Sequence, residues 1–289
     1  MKTAVMTDTN SGISVEAGKT KGIYVLPMPV IIDNNDYLEG TNVTHSDLYE
    51  AMNKGLDVRT SQPSVGIVED MWKGILSEGY DEIVYIPMSS ALSSSCESAS
   101  GYAQKYEGKI HIVDNHRISV SLMESVYDAK AMADSGMSAS EIKERLEKNA
   151  YDASIYITVN SLEYLKKSGR VTAAGAAVAT VINLKPILTI QGEKLDAFSK
   201  IRGMIKARLK MIDALAYDLA TRFSNIPKEK LQLATAGTFQ SDEDAENWRI
   251  QVKEAFPDYL EPYYYPLSCS IACHTGVDTC GIGVIVLDR

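Results

Sequence analysis

A chain of 289 residues is long enough for two ordinary hydrophobic cores and too long for one small one. Its 29 Lys and Arg against 38 Asp and Glu give a net charge of -9, which argues against a nucleic-acid-binding face and disfavours anionic membrane surfaces. With 45% hydrophobic and 23% charged residues and no long Pro, Gly or Ser tract, the chain is expected to fold compactly.

The first eight residues run straight into a strand-like segment without the apolar core of a signal peptide. No stretch reaches the ~18 apolar residues of a membrane-spanning helix, so no stable membrane insertion is expected. Four cysteines in so long a chain make no disulfide framework; with reduced thiols, the expected location is cytoplasmic. Through the first half, β-rich runs at 3–6, 23–32, 82–86 and 110–113 alternate with helical runs at 46–53, 65–76 and 94–106. Such alternation requires crossovers and a mostly parallel sheet covered by helices, with functional groups at the carboxyl ends of its strands. Helical stretches follow at 118–135 and 138–148, the second opened by the capping box Ser138-Ala139-Ser140-Glu141. A boundary near Tyr151 divides the chain into domains of residues 1–151 and 152–289. Strands of the second are expected at 154–159, 186–190, 193–198, 231–234, 262–266 and 283–287, with Gln191-Gly192 as a tight hairpin and therefore a mixed sheet.

Three motifs come near to known chemistry. Residues 12–20 resemble a phosphate-binding loop but have five residues between the glycines where four are needed, so a short helix is expected. Cys269, Cys273, His274 and Cys280 offer three thiols and an imidazole, yet their spacing suits no common zinc module, and no metal is expected. Gly281-Ile282-Gly283 comes too late to open a dinucleotide-binding unit and reads as a turn into the final strand.

Two loops are rich in hydroxyls. Thr60-Ser61-Gln62-Pro63-Ser64 precedes a helix for which Ser64 is the expected N-cap, and Ser89-Ser90-Ala91-Leu92-Ser93-Ser94-Ser95 follows the strand at 82–86. Five serines in seven residues exceed capping needs. Two readings stand: caps and turns, or a site where hydroxyls and helix amides hold a carboxylate.

At these loops the chain resembles the DegV family, fatty-acid-binding proteins that present acyl chains to a bacterial fatty acid kinase. The resemblance runs through Leu162-Glu163-Tyr164-Leu165-Lys166-Lys167-Ser168-Gly169-Arg170, Lys185-Pro186-Ile187-Leu188, the series Lys200, Arg202, Lys206, Ala207, and His274-Thr275-Gly276. It implies two α/β domains with a lipid tunnel between them. The carboxylate then meets Thr60, Ser61, Ser93 and His274, with Arg170 and Arg202 at the entrance or toward a partner's phosphate. The chain departs from the family at Ser94-Ser95-Cys96 and at Val277-Asp278, the latter adding an anionic side chain near the carboxylate.

The resemblance implies a binding subunit rather than an enzyme, without a cofactor of its own. A partner kinase supplies ATP and magnesium, and the acyl phosphate feeds phospholipid metabolism. Burying each methylene is worth roughly 0.8 kcal/mol, so a long tail supplies most of the affinity. The apolar series Ile201, Ile205, Ile212, Leu215 and Leu219 is a candidate tunnel lining, with ordinary core packing as the plainer reading. The remaining histidines, His45, His111 and His116, read as structural or exposed. The rival is a self-contained enzyme, either a small-molecule kinase like the dihydroxyacetone kinases or a Ser93–His274 hydrolase. Missing phosphate-loop and Gly-x-Ser-x-Gly motifs weigh against it.

Overall fold

A computed structural model describes residues 2–177, 184–192 and 194–289. The chain begins with β1 (Thr3–Asp8), α1 (Val15–Thr20), β2 (Ile23–Leu26), β3 (Pro29–Ile32), β4 (Asn35–Leu38), α2 (His45–Asn53) and β5 (Val58–Thr60). It continues with α3 (Val65–Ser77), β6 (Glu82–Ile86), α4 (Ser95–Ala103), β7 (Ile110–Ile112), α5 (Ser119–Asp134) and α6 (Ala139–Lys148). Then come β8 (Ala153–Thr158), α7 (Glu163–Ser168), α8 (Ala173–Ala176), β9 (Leu184–Ile190), β10 (Asp196–Arg202) and α9 (Met204–Ala220). Last are β11 (Leu231–Gly237), α10 (Asp242–Ala255), β12 (Tyr263–Pro266), α11 (Cys269–Thr275) and β13 (Cys280–Val286).

Strands β2-β1-β6-β7 form the expected parallel sheet. Its strands are apolar on both faces because both are covered. Met6, Ile83 and Tyr85 pack on one side with Trp72 and Ile75 of α3, while Val5, Val84 and Ile86 pack on the other with Leu122, Met123 and Val126 of α5. The predicted caps are in place. Ser64 accepts from Ile67 N at the start of α3, and Ser138 and Glu141 exchange hydrogen bonds at the start of α6.

The single strand expected at 23–32 is two. Pro27 and Pro29 lack the amides a continuous ladder needs, so β2 stays in the parallel sheet while β3 joins an unforeseen three-stranded antiparallel sheet, β4-β3-β5. Residues 12–20 hold no phosphate loop: the short helix α1 is there, and a Cβ at Gly18 would stand 2.5 Å from Val25 Cγ2 and 2.8 Å from Ile23 O. That glycine serves helix-to-strand packing.

The second sheet, β10-β9-β8-β13-β11-β12, is mixed as expected, with β11 and β12 the parallel pair. Strands β9 and β10 are antiparallel, but their connection is longer than a two-residue hairpin; Glu193 lies outside the described residues. Gly281-Ile282-Gly283 is not a turn, since it sits inside β13. The chain passes from one sheet to the other at Tyr151, between α6 and β8.

Helix α5 lies between the sheets, so one core draws Val84 and Ile86 from the parallel sheet and Ile157, Leu188 and Ala236 from the inner face of the mixed one. The outer face, with Tyr156, Leu233 and Val284, is sealed by Met211 and Leu215 of α9 and Trp248 of α10. This overturns α9 as a lining: Leu215 and Leu219 belong to the outer core, Ile205 is 77% exposed, and Ile201 is on β10. No helix among the described residues is long and apolar enough to cross a membrane.

Candidate ligand-binding site

Helix α11 packs on β3, β5 and α7, which carries His274 from late in the chain to the end of β5. There Thr60 Oγ1 lies 3.0 Å from His274 Nε2. Burial and the nearby Arg170 guanidinium push the imidazole down to about 4, so it is neutral at pH 7. With the threonine hydroxyl donating to Nε2, the ring proton sits on Nδ1, a buried atom with no partner among the described residues.

His274 lines a narrow cavity of about 30 Å³ together with Arg170, Met88, Leu92, Ser270 and Thr275. Arg170 follows the left-handed Gly169 that ends α7, and it donates to the carbonyls of Leu92 (3.3 Å) and Ser168. Among the described residues it makes no carboxylate contact, so it is not a surface ion pair. A neutral donor and a cation thus share a cavity wall. Its complement is an anion.

A second cavity, of about 50 Å³, shares Ile118, Leu195, Ile271 and Thr275 with the first and is further lined by Ser119 and Val120 of α5 and by Ile155, Ile157, Ile190 and Ala236 of the inner sheet face. Gly281 lines it as well, leaving the middle of that face bare. Polar end and apolar end therefore adjoin at the seam between the sheets.

The other expected site residues are placed differently. Ser93 is half-buried beside Leu92, and its hydroxyl donates to Ser95 Oγ while accepting from Ser95 N, so it helps start α4. Ser89 Oγ likewise accepts from Ala91 N, and much of the serine loop is turn chemistry. Ser61 is exposed, and Arg202 is exposed at the end of β10, on the sheet edge; neither lines a cavity at the seam. Asp278 does not stand over the site: its carboxylate accepts from Gln240 (3.2 Å). Cys280 faces the outer core, whereas Cys269 and Cys273 pack beneath the small sheet, so the three thiols do not converge with His274.

Sequence reasoning missed Asp8. It ends β1 at the carboxyl edge of the parallel sheet, fully buried, and accepts from the amides of Met88 (3.1 Å) and Asn10 (2.9 Å), which fixes the loop carrying Met88 and Leu92. Burial raises its carboxyl to about 6. The signal was available, since an aspartate ending a central parallel strand sits where such sheets place their ligands.

A parallel and a mixed sheet sharing a core around one helix, with polar and apolar cavities adjoining at the seam, define a two-domain α/β protein. The chain belongs to the DegV family, whose sequence profile, described as that of an uncharacterised protein, matches residues 2–287. It is 26% identical over 286 residues to a DegV domain-containing protein of Streptomyces coelicolor, covering 99% of this chain and 98% of that one. A DegV domain-containing protein of Deinococcus radiodurans is 30% identical over 208 residues, 72% of this chain and 74% of its own. Among solved structures, a DegV family protein of Thermus thermophilus described as binding fatty acid superposes with a TM-score of 0.87 at 26% identity, covering 99% of this chain and 100% of that one. A stearic-acid-binding protein of Eubacterium ventriosum shares the fold with a TM-score of 0.85 at 21% identity and 98% coverage of both chains.

Proposed function

We propose that this protein binds a long-chain fatty acid at the seam between its sheets. The carboxylate meets His274 and Arg170, with Thr60 orienting the imidazole, and the tail runs along the inner face of the mixed sheet. The observation that carries this reading is a cavity wall holding a cation and a buried imidazole nitrogen with no hydrogen-bond partner among the described residues, beside an apolar cavity with which it shares Ile118, Leu195, Ile271 and Thr275. Similarity to the Thermus thermophilus fatty-acid-binding protein supports it. Both cavities are tight beside the ~300–1,000 Å³ of ordinary ligand pockets, so the tail enters by parting the side chains that line them. Ser93 holds the loop beside the headgroup, and Ser61 and Arg202, exposed, face a partner.

In the fuller reading, the bound acid is presented to a separate ATP-dependent kinase that forms the acyl phosphate. Phosphoryl transfer depends chiefly on positioning and charge, so acid and nucleotide can sit on two proteins. A Ser93–His274 hydrolase finds no support, because Ser93 bonds to Ser95 and His274 to Thr60. Protein purified without added lipid is expected to yield one fatty acid per chain on organic extraction and mass spectrometry. Absence of lipid, with delipidated protein also refusing palmitate and oleate, would refute the binding reading. For the kinase reading, the isolated chain should consume no ATP with added fatty acid; turnover would refute the division of labour.

A further inference from the structure

At the opposite end of α11 from His274, the buried Glu39 has a role that fatty-acid binding does not use. Its Oε1 accepts from Cys269 N (2.7 Å) and its Oε2 from the Thr9 hydroxyl (2.7 Å). Its cationisable neighbour is His45, the first residue of α2, whose Nε2 stands 3.9 Å from Oε1 and 2.9 Å from the Leu267 carbonyl. Among the described residues, no Lys or Arg pairs with this carboxylate. One carboxylate oxygen, one imidazole nitrogen and Cys269 Sγ all lie within 4.8 Å of one another. The three residues line a cavity of about 320 Å³ that shares no lining residue with the two at the seam.

Capping the start of α11 accounts for the carboxylate and the Leu267 carbonyl holds the imidazole, but neither accounts for a thiol standing beside both. A buried carboxylate without a firm cationic partner is costly, and a cation placed among these donors removes that cost. We propose that Glu39, His45 and Cys269 bind a zinc ion, with the fourth position open to the cavity. One sulfur, one nitrogen and one oxygen donor suit four-coordinate zinc, whereas calcium and magnesium take oxygen ligands. Metal–donor distances of ~2.0–2.3 Å put tetrahedral donors roughly 3.3–3.8 Å apart, so the cluster must contract by about 1 Å. The side chain free to move is His45, 37% exposed against 8% for Glu39. On binding, the Cys269 thiol releases its proton to solvent. The imidazole proton shifts to Nδ1, and Nε2 exchanges the Leu267 carbonyl for the metal.

The test is titration of the metal-stripped full-length protein with zinc by calorimetry and with cobalt by absorption spectroscopy. One equivalent is expected, with the visible bands of tetrahedral cobalt and a near-ultraviolet thiolate-to-cobalt band. His45→Ala, at a partly exposed helix start, and Cys269→Ser should each weaken binding by ~100-fold or more, while Cys273→Ser keeps the spectrum. Circular dichroism checks that the variants fold. No zinc uptake by wild type overturns the proposal, as does uptake unchanged in His45→Ala or a thiolate band that survives Cys269→Ser. Fatty-acid content in His45→Ala should equal that of wild type, so the outcome is independent of the lipid reading.

Discussion

The two faces of the mixed sheet are built from alternate residues of the same strands, yet they do different work. On the outer face Tyr156, Leu233, Ile282 and Val284 meet Met211, Leu215 and the fully buried Trp248 in close packing. On the inner face the same strands present Ile157, Ala236, Gly281 and Gly283, and the narrow cavities lie there. Volume explains the contrast: where β11 and β13 carry alanine and glycine inward, the opposing helix cannot fill the space. Apolar periodicity marks both faces alike and cannot separate a packed core from a ligand trough.

The largest effect should come from the outer face. Trp248→Ala removes a side chain with no exposed surface and its hydrogen bond to Gly281 O (2.8 Å), so a loss of about 3–5 kcal/mol in denaturant unfolding is expected. Lipid per folded chain should stay the same. If lipid falls with stability, the two faces are not separable.

Next is the acid response of the cavity. His274 drops from an unfolded value of 6.5 to about 4, so the unfolded chain binds more protons between those values and stability falls as pH is lowered through that window. The contribution is full above 6.5 and the loss reaches roughly 3 kcal/mol near pH 4. His274→Gln should flatten that part of the pH–stability curve relative to wild type in delipidated protein. Identical curves would place the histidine in a more solvated setting.

These two predictions mark how far the sequence was legible. Alternating strands and helices gave the parallel sheet, the turn expected at Gln191-Gly192 gave the mixed one, and the resemblance paired Thr60 with His274, residues that local spacing alone cannot connect. What stayed hidden depends on contacts distant in sequence. The small sheet β4-β3-β5 exists because α11 covers it, Gly281 reads as a turn until β8 and β11 flank it, and α9 has the same periodicity whichever face it covers.

A glycine pair sharpens the comparison at smaller cost. A Cβ at Gly281 finds ordinary contacts of 3.5 Å or more, whereas one at Gly283 stands 3.1 Å from Ser154 O. Gly281→Ala should therefore keep stability within about 1 kcal/mol, since alanine lowers the entropy of the unfolded chain, while reducing lipid content by intruding on the cavity. Gly283→Ala should cost about 1–3 kcal/mol through overpacking. Extraction and denaturant titration of both read the difference, and unchanged lipid in Gly281→Ala would remove the tail from this trough.

Smallest is Ser93→Ala, which loses the hydrogen bonds to Ser95 and about 0.5–1.5 kcal/mol of stability. The bound acid should remain, but its carboxylate is held less firmly, so acyl-phosphate formation with a partner kinase should fall more than lipid retention. Equal losses in both would make Ser93 a turn residue only.

The core around α5 has a consequence for how the molecule comes apart. Both sheets bury their inner residues against the same helix, and the last residue, Arg289, pairs with Glu124 and Asp128 of that helix. Severed at Tyr151, each half would expose the surface it now shares, so heat should melt the intact chain in one cooperative transition. A ligand held by His274 and Arg170 against Met88 and Leu92 touches both halves at once, and its occupancy would raise that single melting temperature rather than split it.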